Sequence, residues 1–399
     1  MPTAELERRG LLATATDRAG LDAVLRARPA VPVVASFDVV ELEARHLVTA
    51  VMLRRLQAVG HRPVIVLRGV AAITSGTPRD LAVIQTGLRR LLDFDDPATG
   101  AIVVDDAERL SGLGYLEFLR DVGKYLTVNY LTDKPSLKAR TTLSYTELAQ
   151  LVIDAYDFVE LAAAYGCRVK LGDASQLDAI SAGCDLAARM SRPPLFGFVA
   201  PELDNRLCRS GTDAPIELDP KRTPPFRFYQ HWLNVGDDDA PRLLRAFSPR
   251  PLAELDELLA EHDRDRARRV AQRELTRALT SWVHGDAALA NAIAASRVMF
   301  GEALDGLTDA DLGALADIVP TIELARGELE GGISIVDLIV RAFSETKGAA
   351  RRLVTQGGAY VNNLPIKDVA RIVTLDDLAT ETMLVVASGR KNRRLVRVI

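Results

Sequence analysis

Val31-Pro-Val-Val-Ala-Ser-Phe37, followed by Glu41-Leu-Glu-Ala-Arg-His-Leu-Val-Thr-Ala-Val-Met-Leu-Arg-Arg-Leu-Gln-Ala-Val59 and Gly60, is the stretch that decides the fold. The first run is β-branched, nearly continuous in apolar character and carries a proline at its start, which predicts a buried strand. The second places Leu42, Leu47, Val48, Val51, Leu53 and Leu56 among charged residues, an amphipathic helix over 41–59 that Gly60 ends. The unit then repeats: residues 64–67 predict a second strand, 79–92 a second helix and 101–104 a third strand. Strands alternating with helices at this spacing need crossover connections, so this part of the chain is expected to be an α/β domain around a Rossmann-like parallel sheet.

Beyond about Gly112 the pattern changes. Residues 116–130 and 145–165 predict helices, joined by the basic loop Lys134-Pro-Ser-Leu-Lys138-Ala-Arg140. A Pro- and Asp-rich loop over 194–225 follows, and its cluster Thr223-Pro224-Pro225 marks a domain boundary. Residues 226–300 predict mostly helix, Gly327, Gly331 and Gly332 a hinge, and 333–399 two short helices, a Gly357-Gly358 turn and strands that include Met-Leu-Val-Val-Ala-Ser. Three domains are expected, over 1–222, 223–330 and 331–399.

The 399 residues are 48% hydrophobic and 26% charged, which excludes long-range disorder and fibrous classes. No apolar run reaches the roughly 18 residues of a membrane span, and the first residues lack the apolar core of a signal peptide. Cys167, Cys184 and Cys208 form no CxxC pair, which fits a reducing, cytoplasmic setting and argues against a disulfide framework or a metal site. The net charge of −4 speaks against a nucleic-acid partner only until it is divided along the chain. From residue 331 onward eleven Lys and Arg face six Asp and Glu, a balance of +5, which leaves −9 on residues 1–330. A small basic module on an acidic body is the footprint of a phosphate-backbone partner.

Several stretches carry a resemblance over nearly the whole chain. They are Phe118-Leu-Arg-Asp-Val-Gly-Lys124 with Thr127-Val-Asn-Tyr130, Ser144-Tyr-Thr-Glu147 with Ala155-Tyr-Asp-Phe158, Phe228-Tyr-Gln-His-Trp232, and Lys347-Gly-Ala-Ala-Arg-Arg352 with Gln356-Gly-Gly358 and Val361-Asn362. Together they resemble the bacterial tyrosyl-tRNA synthetases of class I. The resemblance implies a Rossmann-like catalytic domain with a helical insert, an α-helical anticodon-binding domain and a small α+β S4 RNA-binding domain. It also implies a homodimer, and tRNA or another structured RNA as partner.

Carried over position by position, the family's signatures are altered. The HIGH motif at the start of the first helix reads Glu43-Ala44-Arg45-His46, keeping only the last histidine. A carboxylate at Glu43 would repel a triphosphate, and Arg45 replaces a glycine that lets the nucleotide lie against the helix. The KMSKS-type loop aligns to Arg206-Leu-Cys-Arg-Ser210, so its cations persist as Arg206 and Arg209 beside Ser210. In the tyrosine pocket Asp157 stands where the phenol acceptor would be, while its tyrosine partner, three residues before Phe37-Asp38, is Val34. The ammonium-binding tyrosine and glutamine are Gln150 and Asp154, and the second glycine-rich signature, Gly172-Asp-Ala-Ser-Gln176, keeps Gly172 and Gln176 but introduces Asp173. RNA contacts are expected at Lys134, Lys138, Arg140, Lys347, Arg351, Arg352, Arg390 and Lys391. The expectation from these changes is a synthetase paralogue that has lost ordinary ATP-dependent tyrosine activation and keeps its dimer scaffold and RNA binding, with no cofactor. Two alternatives stand beside it: an enzyme repurposed for another small molecule or an aminoacyl-tRNA in specialised metabolism, and an active tyrosine–tRNA ligase with unusual motifs that uses ATP.

Overall fold

A computed structural model describes residues 3–37, 41–76, 81–138, 140–210, 213–313, 315–316, 319–389 and 392–399. The chain forms two compact units, one of residues 1–223 with 231–283, the other of 224–230 with 284–399.

The first unit is built on a six-stranded sheet of β1 (Thr14–Ala15), β2 (Val33–Phe37), β3 (Pro63–Leu67), β4 (Ile102–Asp105), β5 (Val169–Gly172) and β6 (Phe196–Val199), in the order β1-β6-β5-β2-β3-β4. All neighbouring pairs are parallel except β1 with β6. Helices cover both faces, which is why Val33, Val34, Ala35, Val64, Ile65 and Leu67 are fully buried and the strands read as unbroken apolar runs. From β2 the chain proceeds to β3 and β4 on one side, and later to β5 and β6 on the other. The carboxyl ends of β2 and β5 therefore flank a topological switch point, where open α/β sheets bind ligands.

The helix expected over 41–59 begins later. Glu43 is extended and bridges Glu217, Ala44–His46 is a single 3-10 turn, and the α-helix runs Leu47–Ala58. The site residues of this stretch thus lie on a turn and not on a helix face. The segment 116–130 is likewise broken, into helices Tyr115–Asp121 and Val128–Thr132 around a turn at Gly123–Tyr125, because Gly123 interrupts the first and Thr127 caps the second by accepting the Tyr130 N–H. The basic loop holds a short helix, Pro135–Lys138, and the 194–225 loop contains β6. The helix Tyr145–Tyr165 has the expected ends: Ser144 and Glu147 form a capping box, and Gly166 closes it at φ +69°. Helices Asp239–Phe247, Leu252–Arg264 and Val270–His284 follow.

In the second unit β7 (Thr321–Leu324), β9 (Ala359–Val361), β10 (Leu364–Ile366), β12 (Met383–Ser388) and β13 (Asn392–Val398) form a sheet in the order β10-β9-β12-β13-β7, while β8 (Ile333–Ser334) pairs with β11 (Ile372–Val373). Helices Ile335–Phe343 and Lys347–Thr355 pack on the sheet through Leu338, Ile339, Ala350 and Val354. No helix is long and apolar enough to cross a membrane among the described residues.

Candidate functional site

A cavity of about 520 Å³ opens at the switch point. Its walls include Phe37 at the end of β2, Glu43, Arg45 and His46 from the 3-10 turn, Asp173 and Gln176 beyond β5, and Cys208 and Arg209 from the loop after β6. Segments distant in sequence are thus brought together at this cavity.

Local hydrogen bonds fix these side chains. The Glu43 N–H donates to His46 Nδ1 at 2.9 Å, and the His46 ring tilts against Phe37 with centroids 5.9 Å apart. Arg45 lines the cavity, its side chain 53% exposed and its Nε 3.3 Å from Glu43 Oε2. Asp173 caps the turn Ala174–Gln176 by accepting the Ser175 N–H at 2.9 Å. At Gly172 beside it a Cβ would lie 2.7 Å from Ile180 Cδ1 and 2.9 Å from Gln176 Oε1, so those side chains would have to shift to admit a larger residue. In the loop after β6, Arg209 donates to the Asp213 carbonyl at 2.6 Å and faces the cavity. Arg206 turns instead to Asp204 and Asp239, at 2.8 Å from each, and Ser210 donates its N–H to the Ala214 carbonyl at 2.7 Å. The loop is anchored by the His231 ring against the Leu207 carbonyl at 2.8 Å. Burial pushes the Cys208 thiol up to about 11, which keeps it an unreactive thiol at neutral pH.

The residues expected to face the amino acid form a buried charge cluster. Gln150, Asp154 and Asp157 recur at four and three residues along helix Tyr145–Tyr165 and so share one face. Gln150 Nε2 donates to Asp154 Oδ1 at 2.8 Å, and Arg68, just beyond β3, reaches Asp154 Oδ2 at 3.1 Å. Asp157 is ion-paired with Arg109, both largely buried. Val34 is buried in β2, and its register partner in β5 is Lys170. Lys170 is 4% exposed, and desolvation pulls its ammonium down to about 8. Burial pushes Asp106 up, although it accepts the Val70 N–H at 2.8 Å.

Arg68, Arg109, Lys170 and Asp106 were not among the residues singled out from the sequence. One signal was available, a lysine inside the buried strand Val169-Lys-Leu-Gly172, where apolar residues are the rule. Asp38, Arg390 and Lys391 lie outside the described residues. Of the expected RNA contacts, Lys134 turns inward, donating to Ser181 Oγ at 3.0 Å and stacking on Tyr130. Lys138 is exposed beside Asp133 at 3.5 Å, and Arg140 pairs with Glu147. Lys347, Arg351 and Arg352 project from helix Lys347–Thr355 into solvent, Lys347 within 2.7 Å of Asp337.

A family model described as tRNA synthetases class I (W and Y) matches residues 44–301. The tyrosine–tRNA ligase of Roseiflexus castenholzii is 37% identical over 99% of both chains. That of Rhodopirellula baltica is 34% identical over 99% of this chain and 95% of its own. Among solved structures, a C-terminally truncated mitochondrial tyrosyl-tRNA synthetase of Aspergillus nidulans superposes with a TM-score of 0.65 at 21% identity, over 74% of this chain and 91% of its own, a likeness of fold. The switch-point cavity, the altered motif residues that line it and these full-length likenesses converge: the chain belongs to the tyrosyl-tRNA synthetase family of class I.

Proposed function

We propose that this chain is an ATP-dependent amino-acid–tRNA ligase, which activates its amino acid at the switch point and passes it to tRNA. The observation that carries the reading is the open cavity of about 520 Å³, which remains with Arg45 in its wall and paired with Glu43. The sequence alone favoured a synthetase without chemistry, because an arginine in place of glycine would block that space. A cavity that stays open with Arg45 in its wall speaks against such a block. His46 and Arg209 face the same cavity and can donate to an α-phosphate as its charge develops. ATP enters this reading as a substrate. The full-length relatives named tyrosine–tRNA ligase support tRNA as the acceptor.

Two further parts of the reading rest on surfaces. Tyr115, Leu116, Leu119 and Val128 of the insert are large, apolar and exposed, and they support a homodimer formed there. The exposed cations Lys347, Arg351 and Arg352 support RNA binding by an S4-type module over 331–399, with a catalytic part over 1–222 and an anticodon-binding part over 223–330.

One observation favours the second reading, an RNA-binding pseudo-synthetase: the Glu43 carboxylate lines the cavity and opposes triphosphate entry. ATP–pyrophosphate exchange with each proteinogenic amino acid separates the two. Exchange above background with any of them, reduced about 10²-fold in Arg209→Ala, is the expected result. Its absence across the whole panel, with tRNA still bound, rejects the ligase and leaves the pseudo-synthetase.

A further inference from the structure

Three arginines stand at the altered motif positions, and their surroundings differ. Arg206 is turned to Asp204 and Asp239, at 2.8 Å from each. Arg209 donates within its own loop, from Nε to Asn205 Oδ1 at 3.3 Å and from Nη1 to the Asp213 carbonyl at 2.6 Å. Arg45 makes one polar contact among the described residues, from Nε to Glu43 Oε2 at 3.3 Å. The two Nη nitrogens of its guanidinium fork therefore keep their N–H donors for a further partner, in the wall of the switch-point cavity.

The charge of that wall says what the partner is. Four carboxylates line the cavity, Glu43, Asp173, Glu202 and Asp204, against two permanent cations, Arg45 and Arg209. Asp173 is engaged by the Ser175 N–H and hydroxyl, at 2.9 and 2.5 Å, and Asp204 by Arg206. Glu202 is exposed and has no ion-pair partner among the described residues. With Arg209 as its only cation, such a wall would repel a polyphosphate. Turning the Arg45 fork from Glu43 toward the cavity breaks one half-exposed ion pair, a weak interaction in water, and allows bidentate, charge-assisted hydrogen bonds to phosphate. Position settles which phosphates. His46 packs on the Phe37 ring at the end of β2, whereas the Arg45 side chain is 53% exposed and so stands at the mouth, through which a pyrophosphate must leave.

We propose that Arg45 is a nucleotide-binding residue, whose guanidinium leaves Glu43 to hold the phosphates beyond the α-phosphate of an entering nucleoside triphosphate. The assignment deepens the ligase reading and rests on it for the nucleotide. The arginine in place of glycine then adds a donor beside the position where Glu43 has replaced the first histidine of the motif. Glu43 keeps the fork at the mouth in the free protein, so less side-chain freedom is lost when phosphate binds.

The test is calorimetric binding of ATP, inorganic pyrophosphate and AMP to the full chain. Arg45→Met is expected to weaken ATP and pyrophosphate at least about tenfold, the loss of hydrogen bonds between charged groups, and to leave AMP within about threefold of the parent. Arg45→Lys is expected to keep part of the ATP affinity, and Glu43→Gln to raise it by freeing the fork and removing a negative charge from the wall. Retained AMP binding shows that each variant is folded. ATP binding that is equal or tighter in Arg45→Met, AMP weakened as much as ATP, or a parent that binds no ATP overturns the proposal. Exchange activity keeps the two readings apart. ATP binding that depends on Arg45 without pyrophosphate exchange retains the phosphate contact and removes the ligase, whereas exchange that is unchanged in Arg45→Met does the reverse.

Discussion

Replacing Arg109 by methionine isolates its ion pair with Asp157, the residue expected to accept a phenol hydroxyl. In the parent, the Asp157 carboxylate is 6% exposed and the Arg109 guanidinium 19% exposed, so each is the other's replacement for water. Removing the cation leaves a buried carboxylate with nothing to neutralise it, a loss of about 3–5 kcal/mol. At about 2 °C per kcal/mol for a unit of this size, the melting transition of Arg109→Met should fall by about 6–10 °C. Replacing both partners, in Arg109→Met with Asp157→Leu, removes the charge along with its counter-charge and should return the transition to within about 2 °C of the parent. Differential scanning fluorimetry at pH 7.5 reads all three. A functional readout accompanies the structural one, because the single variant frees Asp157 to accept a hydroxyl. Tyrosine should then raise the melting temperature of Arg109→Met more than that of the parent. A single variant that melts within about 2 °C of the parent would refute the reasoning, since Asp157 would then have another source of compensation.

Lys170→Met should stabilise the ligand-free protein at pH 7 by about 3 kcal/mol, the equivalent of pulling an ammonium from 10.5 to about 8, and urea titration checks it. For the parent the sign follows: the unfolded chain holds that proton up to about 10.5 and the folded chain only to about 8, so stability rises between pH 8 and 10.5 and the rise disappears in Lys170→Met. Burial also lowers His61 and His231, so their contribution is complete above about pH 6.5 and is lost as the pH falls below it. The urea midpoint of the parent should therefore drop more between pH 7 and 5.5 than that of His231→Asn, and equal drops would count against the assignment. Arg9 is 3% exposed and donates to the carbonyls of Arg245, Ser248 and Arg250, so Arg9→Met should cost about 2–3 kcal/mol in the same titration. Leu116→Asp with Leu119→Asp should shift the protein to monomer in analytical ultracentrifugation with the melting temperature unchanged, and a persisting dimer places the interface elsewhere.

Much of the fold could be read from periodicity because its signals are local. β2 announces itself by an apolar run, and the long helix by Ser144, Glu147 and Gly166 at its ends. What could not be read depends on context. β5 is disguised by Lys170 in a strand of four, and β6 is hidden by Pro193, Pro194 and Gly197 around it. Glu43 lies outside the helix, although the apolar spacing runs on through Leu42, because its extended backbone is fixed by a bridge to Glu217, which no window around residue 43 contains. The same division runs through the site. Glu43, Arg45 and His46 are neighbours in sequence and could be weighed together, but the pairing of Arg45 with Glu43 could not. The pairs Arg68 with Asp154 and Arg109 with Asp157 join distant segments, and no motif spacing predicts them.

This division also separates what kinship carries over from what it does not. The proposed nucleotide side is shaped by backbone: the carboxyl ends of two strands, a 3-10 turn, and the glycine at the end of β5. Such features follow from the sheet itself, so full-length likeness at 34–37% identity is a sound guide to them. The amino-acid side is shaped by side chains that neutralise one another. A charge pair of this kind can be exchanged for an apolar pair at little cost when both members change, whereas changing one member is severe. Specificity can therefore drift by paired steps while the sheet and the cavity stay as they are. Identity across the whole chain bears on the reaction class, whereas under the proposed reading the choice of amino acid falls to the charged cluster of Arg68, Asp106, Arg109, Asp154, Asp157 and Lys170.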